Sequence, residues 1–188
     1  MVAVAQQHRA TYDDLVRVPS PLVAEIVDGV LYTHPRTASP HAIASSVLGG
    51  NLGGSFDWGH GGSGGWIIVD EPEFHFGEDV VVPDIAGWRR ERMPELPAAA
   101  FITLAPDWVC EVLSPRTQLL DRTDKMDLYA REGVRHLWFI DPLLRSLEIY
   151  RLHDGLWTRV TTFHDDAVVR AEPFDAIELE LAALWIKT

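Results

Sequence analysis

DWVCEVLSP, residues 107–115, has the alternation of a buried β-strand around one acid, Glu111. Period-two geometry sends Trp108, Cys110 and Val112 to one face and Val109, Glu111 and Leu113 to the other. A carboxylate among such neighbours has lost its water and needs a partner. Working upstream, VVVPDIAGW (80–88) repeats the motif: an apolar strand interrupted by Asp84, with Pro83 removing a ladder donor as at an edge or bulge. If the two strands are neighbours, two carboxylates meet in a low-dielectric pocket. They repel unless a proton or cation lies between them, and a hard divalent cation suits oxygen ligands.

The rest of the chain supplies a mixed set of elements. Residues 1–10 read as a loose tail and 11–188 as a single domain. Thr11 caps a short helix that Pro19 ends. AEIVDGVLYT (24–33) is a hairpin about Asp28-Gly29. Ser39-Pro40 opens a helix over AIASSVLGGNL. Nine of the fourteen glycines fall in 49–65 and predict a flexible loop, since no Lys follows as a phosphate-binding loop requires.

WIIVDEPEFHF (66–76) and DVVVPDIAGW (79–88) form an antiparallel pair around Gly77. Thr117–Glu132 is the clearest helix, ended by Gly133. Strands follow at 136–142, 146–152 and 156–163, and 177–185 is a strand or a short helix. The order implies an α/β or α+β sandwich with one central sheet.

Composition excludes several classes. The formal net charge of −12 argues against a general nucleic-acid coat protein, although Arg89, Arg90 and Arg92, and then Arg116 to Arg135, form local basic stretches. The single cysteine, Cys110, cannot form an internal disulfide and reads as a buried small hydrophobe. No apolar run approaches the ~20 residues of a membrane-spanning helix, and MVAVAQQHRA lacks the pattern of a signal peptide. A soluble, cytoplasmic chain is expected. No G-x-S-x-G elbow and no H-E-x-x-H pair is present. A strand-rich chain with many aromatics can dimerise through a sheet edge, so a homodimer stays open.

An ordered set of short motifs carries a resemblance. Glu25-Ile26-Val27-Asp28-Gly29, Ser39-Pro40-His41, Pro83-Asp84 and Glu111-Val112-Leu113-Ser114-Pro115 come first. Asp121, Lys125, Tyr129, Gly133-Val134, Trp138 and Asp141-Pro142 follow. The set resembles the Uma family of bacterial proteins, described as putative restriction endonucleases, within the PD-(D/E)XK nucleases. The resemblance implies a restriction-endonuclease-like fold, with a central mixed β-sheet flanked by helices. It also implies a metal-dependent endonuclease acting on nucleic acid, with DNA the expected substrate. In the general signature a Lys stands two residues after the second acid. Leu113 stands there in this chain, and in the Uma branch a Lys on the following helix takes its place, which matches Lys125.

On that reading Asp84 and Glu111, with the carbonyl of Val112, hold Mg²⁺ or Mn²⁺, and Lys125 assists the attacking water. Glu25 is either a third carboxylate or a solvent-facing one. His41 contacts substrate or simply packs. Arg89, Arg90 and Arg116 hold the nucleic-acid backbone. The competing reading for Lys125 is a surface ion pair with Asp121 at i,i+4 spacing. The competing reading for the whole chain is a catalytically inactive binding or scaffold protein that keeps the fold.

Overall fold

The computed structural model describes residues 9–35 and 38–186, so most of the expected N-terminal tail lies outside the described residues. Helix α1 (Tyr12–Val16) opens on Thr11, whose backbone N–H donates to the Asp14 carboxylate at 2.9 Å. Strands β1 (Leu22–Val27) and β2 (Val30–Pro35) form the hairpin expected at Asp28-Gly29, both with positive φ. Helix α2 spans Ser39–Leu52, capped one residue earlier than expected, at Ala38.

The first part of the glycine-rich stretch departs from expectation, while residues 58–65 form the expected loop. Gly49 and Gly50 belong to α2, and a π-helical turn, Gly53–Asp57, continues it. A Cβ on Gly49 would meet the Asp70 carboxylate at 2.5 Å. That glycine therefore serves close approach of helix to strand rather than flexibility.

The two strands expected around Gly77 are each divided at a proline. Strands β3 (Trp66–Asp70) and β4 (Phe74–Phe76) flank Pro72; β5 (Asp79–Val81) and β6 (Ile85–Arg89) flank Pro83. The pairing register is unchanged across the break, with Asp70 opposite Ile85 and Phe74 opposite Val81, which sets the two prolines against each other. Neither proline has an N–H to donate, so the ladder lapses there and the ribbon is free to bend. Its two halves enter different sheets.

The expected central mixed sheet is present, and a second, smaller sheet stands beside it. The smaller has the order β2-β1-β5-β4; the larger begins with β3 and β6 and continues through four strands placed side by side in chain order. In the larger, β7 (Trp108–Val112) pairs in parallel with β8 (His136–Asp141), and the remaining neighbours are antiparallel. Strands β9 (Ser146–His153) and β10 (Leu156–His164) complete it. The parallel connection runs through α3 (Gln118–Arg122) and α4 (Asp124–Arg131). One continuous helix was expected here, but the chain breaks at Thr123 (φ −121°, ψ −93°), whose hydroxyl donates to the Leu119 carbonyl at 2.6 Å. Near the C-terminus, β11 (Val168–Val169) pairs with β12 (Leu179–Glu180), and a 3₁₀ turn, Leu181–Leu184, follows.

The alternation read in 108–113 decides the layering. Trp108, Cys110 and Val112 pack with Leu48 and Leu52 of α2 and with the C-terminal segment. Val109 and Leu113 face the opposite layer, where Leu128 and Tyr129 of α4 meet Val27, Phe74 and Val81 of the smaller sheet. Phe174 is fully buried in the first layer, with ring centroids 4.8 Å from Trp66 and 4.9 Å from Trp108. Replacing Phe174 by Ala is expected to cost about 3–5 kcal/mol from the cavity left among these rings. Urea denaturation should show a lower midpoint with an unchanged slope.

Candidate active site

Glu111 answers the question its strand poses at the junction of the two sheets. A cleft of about 530 Å³ opens there, with Glu25, Asp84, Glu111, Asp121 and Lys125 in its lining. Each comes from a different place: β1, the bend before β6, β7, α3 and α4. Asp84 reaches the cleft because it directly follows the bend at Pro83, and the antiparallel register sets Ile85 against Cys110. The Val112 N–H then donates to Asp84 Oδ2 at 2.7 Å.

Lys125 occupies the centre and is only 2 % exposed. Its Nζ lies 2.8 Å from Glu111 Oε1, 2.9 Å from Glu25 Oε1 and 3.5 Å from Asp121 Oδ1. An ammonium has three donors, and here it meets three carboxylates. Burial alone would pull its pKa down, but Glu111 and Glu25 outweigh that and hold it well above the usual lysine range. The i,i+4 pair with Asp121 exists, but it is buried within this cluster and lies across the α3–α4 break. It is not a surface pair.

The carboxylates are unequal. Burial pushes Glu25 up, yet Lys125, His34 and the Val82 N–H (2.9 Å to Oε1) outweigh it and lower its pKa to about 2. Glu111 is moved the other way, well above the carboxylate range. Burial dominates, and the negative charges of Asp121, Asp84 and Glu25 add to it against Lys125. The Tyr129 hydroxyl donates to Glu111 Oε1 at 2.6 Å. Asp121 is likewise raised, chiefly by burial. His41 Nε2 lies 3.0 Å from Asp84 Oδ1, so this nitrogen is the donor. Cys110 lies on the other face of β7; burial raises its thiol far above a reactive range.

Glu25, His41, Asp84, Glu111 and Lys125, each singled out from sequence, therefore line one cleft. Arg89 and Arg90 do not. They sit at the far end of β6, about 16 Å along the strand from Asp84 at ~3.3 Å per residue. Arg89 stacks over Trp66 (4.3 Å to the centroid), and Arg90 pairs with Asp57. Arg116 is exposed and adjoins Thr117, a lining residue, without lining the cleft itself.

Sequence reasoning missed His34, Glu71 and Glu73 in the lining. The hairpin register held a signal for His34. Glu25 lies opposite Tyr32, and His34 two residues on shares that face. No comparable signal marks Glu71 and Glu73, which reach the cleft only through the bend at Pro72.

The donor set suits a hard cation. Among the described residues, no three His, Cys, Asp or Glu side chains form a ready-made metal cage. Asp84 and Glu111 converge from adjacent strands in a strongly acidic cleft. Mg²⁺ needs only one or two carboxylates, because it keeps several waters. Among the described residues, no helix is long and apolar enough to cross a membrane.

The family profile described as "Putative restriction endonuclease", Uma2, matches residues 9–183, and the chain belongs to that family. Among solved structures, the chain resembles a putative nuclease belonging to DUF820 from Anabaena variabilis ATCC 29413. Identity is 24 %, with a TM-score of 0.72 over 93 % of this chain and 97 % of that one. The fold is thus the restriction-endonuclease-like one. Comparison with curated proteins finds no match.

Two outcomes follow from the ion cluster. Lys125→Ala leaves buried carboxylates uncompensated and should cost about 3–5 kcal/mol in urea denaturation. Glu25 has a folded pKa depressed from 4.5 to about 2, so its stabilisation is full above pH 4.5 and is lost as pH falls towards 2. The stability difference between wild type and Glu25→Gln should be about 3 kcal/mol at pH 7 and shrink towards zero over that window.

Proposed function

We infer that the chain is a metal-dependent endonuclease that hydrolyses phosphodiester bonds of nucleic acid, most simply DNA. One observation supports this above the rest: Lys125, delivered from a helix, lies 2.8 Å from Glu111. In the PD-(D/E)XK signature a strand Lys serves the second acid. Leu113, at that strand position, is 4 % exposed and packed in the core, so it cannot substitute.

Asp84 and Glu111, with the Val112 carbonyl, would hold Mg²⁺ or Mn²⁺. A cation held there would supply Lewis acidity towards the scissile phosphate and would lower the pKa of water. The chain's own groups do the rest. Lys125 remains an ammonium because its carboxylate neighbours keep it charged, so it acts as donor and counter-charge to the attacking water and the phosphate, not as a base. His41 holds Asp84 in place through Nε2. Tyr129 and Lys125 together fix Oε1 of Glu111. Arg116, exposed beside the lining residue Thr117, would meet a backbone phosphate, whereas Arg89 and Arg90 are too far along β6 to hold the scissile one.

The test uses plasmid and single-stranded DNA with Mg²⁺ or Mn²⁺, comparing wild type with Asp84→Asn and Glu111→Gln. Cleavage should fall at least ~100-fold in each variant, the usual scale for loss of one electrostatic contact in a site. Mg²⁺ should also raise the melting temperature of the wild type and not of the variants, by linkage. Equal cleavage by all three overturns the assignment. Absence of both cleavage and a metal-dependent shift identifies an inactive scaffold.

A further inference from the structure

Three aromatic rings from separate segments meet beside the cleft, next to Glu73 of its lining. His75 of β4 stacks on Phe101, with centroids 3.8 Å apart and planes 13° apart. Tyr12 of α1 meets the His75 ring edge-on at 4.8 Å. Glu73, which lines the cleft, ties them together: its Oε1 lies 2.8 Å from His75 Nε2 and accepts from the Tyr12 hydroxyl at 3.1 Å. The Phe101 segment is itself pinned. The Ile102 N–H donates to the Glu73 carbonyl at 2.9 Å, and the His75 N–H donates to the Ile102 carbonyl at 3.0 Å. Even so, Tyr12 remains 41 % exposed and Phe101 39 %. These are large rings, held in fixed geometry and left open to solvent beside the cleft.

The electrostatics of the cleft say what such rings are for. Its lining holds Glu25, Glu71, Glu73, Asp84, Glu111 and Asp121, against the single ammonium of Lys125 and the imidazoles of His34 and His41. The whole chain carries −12. Phosphate attraction, the main source of duplex affinity, is weak on such a surface. A nucleic-acid strand can instead be held by a contact that does not depend on its charge. Base stacking on exposed aromatic faces is one, and it is sequence-tolerant because every base has a π-face. In a duplex those faces are already stacked.

We propose that Tyr12, His75 and Phe101 form a nucleobase-stacking platform that selects unpaired strands, so that the substrate is single-stranded at the scissile position. This rests on the nuclease reading and narrows its substrate class. Tyr12 and Phe101 are the rings that bases would cover. His75 and Glu73 keep them in register with the cleft.

The test measures fluorescence anisotropy of a labelled single-stranded oligonucleotide and of the matching duplex, with Ca²⁺ present, across a salt series. Wild type should prefer the single strand, with a shallow salt dependence. Phe101→Ala and Tyr12→Ala should each weaken single-strand binding roughly ten- to a hundred-fold, the scale of one lost stacking contact. Tyr12→Phe, which keeps the ring, should bind nearly as wild type. Melting curves with and without Mg²⁺ should show each variant folded and its metal response intact. Unchanged single-strand affinity in both alanine variants overturns the platform, as does a steeply salt-dependent preference for duplex. Neither result touches the nuclease assignment, which stands or falls on metal-dependent cleavage and its loss in Asp84→Asn. If no nucleic acid binds at all and none is cut, both readings fail.

Discussion

The ammonium of Lys125 is the point on which the two sheets are assembled. Taking one cation and three carboxylates out of water is expensive, and only close mutual contact recovers that cost. The contact requires β1, β7, α3 and α4 to be in place together, because each supplies one of the charges. No apolar cluster in the molecule imposes so specific a condition, since hydrophobic burial is tolerant of small displacements and a shared ammonium is not. The same contacts that orient the elements also leave Glu111 under strain, its ionised form disfavoured by burial and by three nearby acids. The packing thus leaves the cleft with more negative than positive charge in its lining.

The bent ribbon explains how Asp84 arrives. Had Pro72 and Pro83 been residues with an N–H, β3-β4 and β5-β6 could have run straight as one long hairpin, with Asp84 in the middle of a ladder. Instead the ladder lapses, the Glu71 N–H donates to the Asp84 carbonyl at 3.0 Å, and the ribbon crosses from one sheet to the other. Val82, next to the bend, gives its N–H to Glu25, a side chain of the smaller sheet. The backbone groups freed at the bend are therefore satisfied by the residues of the cleft itself.

Much of this was legible in the sequence, and what was not has definite physical reasons. Alternation placed Glu111 on the face of Val109 and Leu113, where it is. Pro83 marked an irregularity beside Asp84, although only the opposing Pro72 turns that irregularity into a change of sheet. Lys125 was legible only through the family resemblance, because a Lys four residues after an Asp has an ordinary surface explanation. The break at Thr123 carries no proline or glycine and left no trace in the pattern. The loop reading holds for residues 58–65 and fails for the glycines before them, since glycine signals either freedom or close contact, and Gly49 is the second kind. Arg89 and Arg90 lie outside the cleft because closeness in sequence, in an extended strand, is distance in space.

The charges at the centre lie far apart along the chain: Glu25 and Lys125 belong to opposite halves of it. Such long-range contacts close late in folding, after the loop entropy between them has been overcome. Local hairpins such as β1-β2 and β9-β10 can form on their own, but neither contains more than one of the clustered charges. The cleft is thus a product of the finished fold. A nascent or partly unfolded chain, whatever secondary structure it has gained, carries no assembled centre, and the charge cluster exists only for as long as the two sheets stay docked.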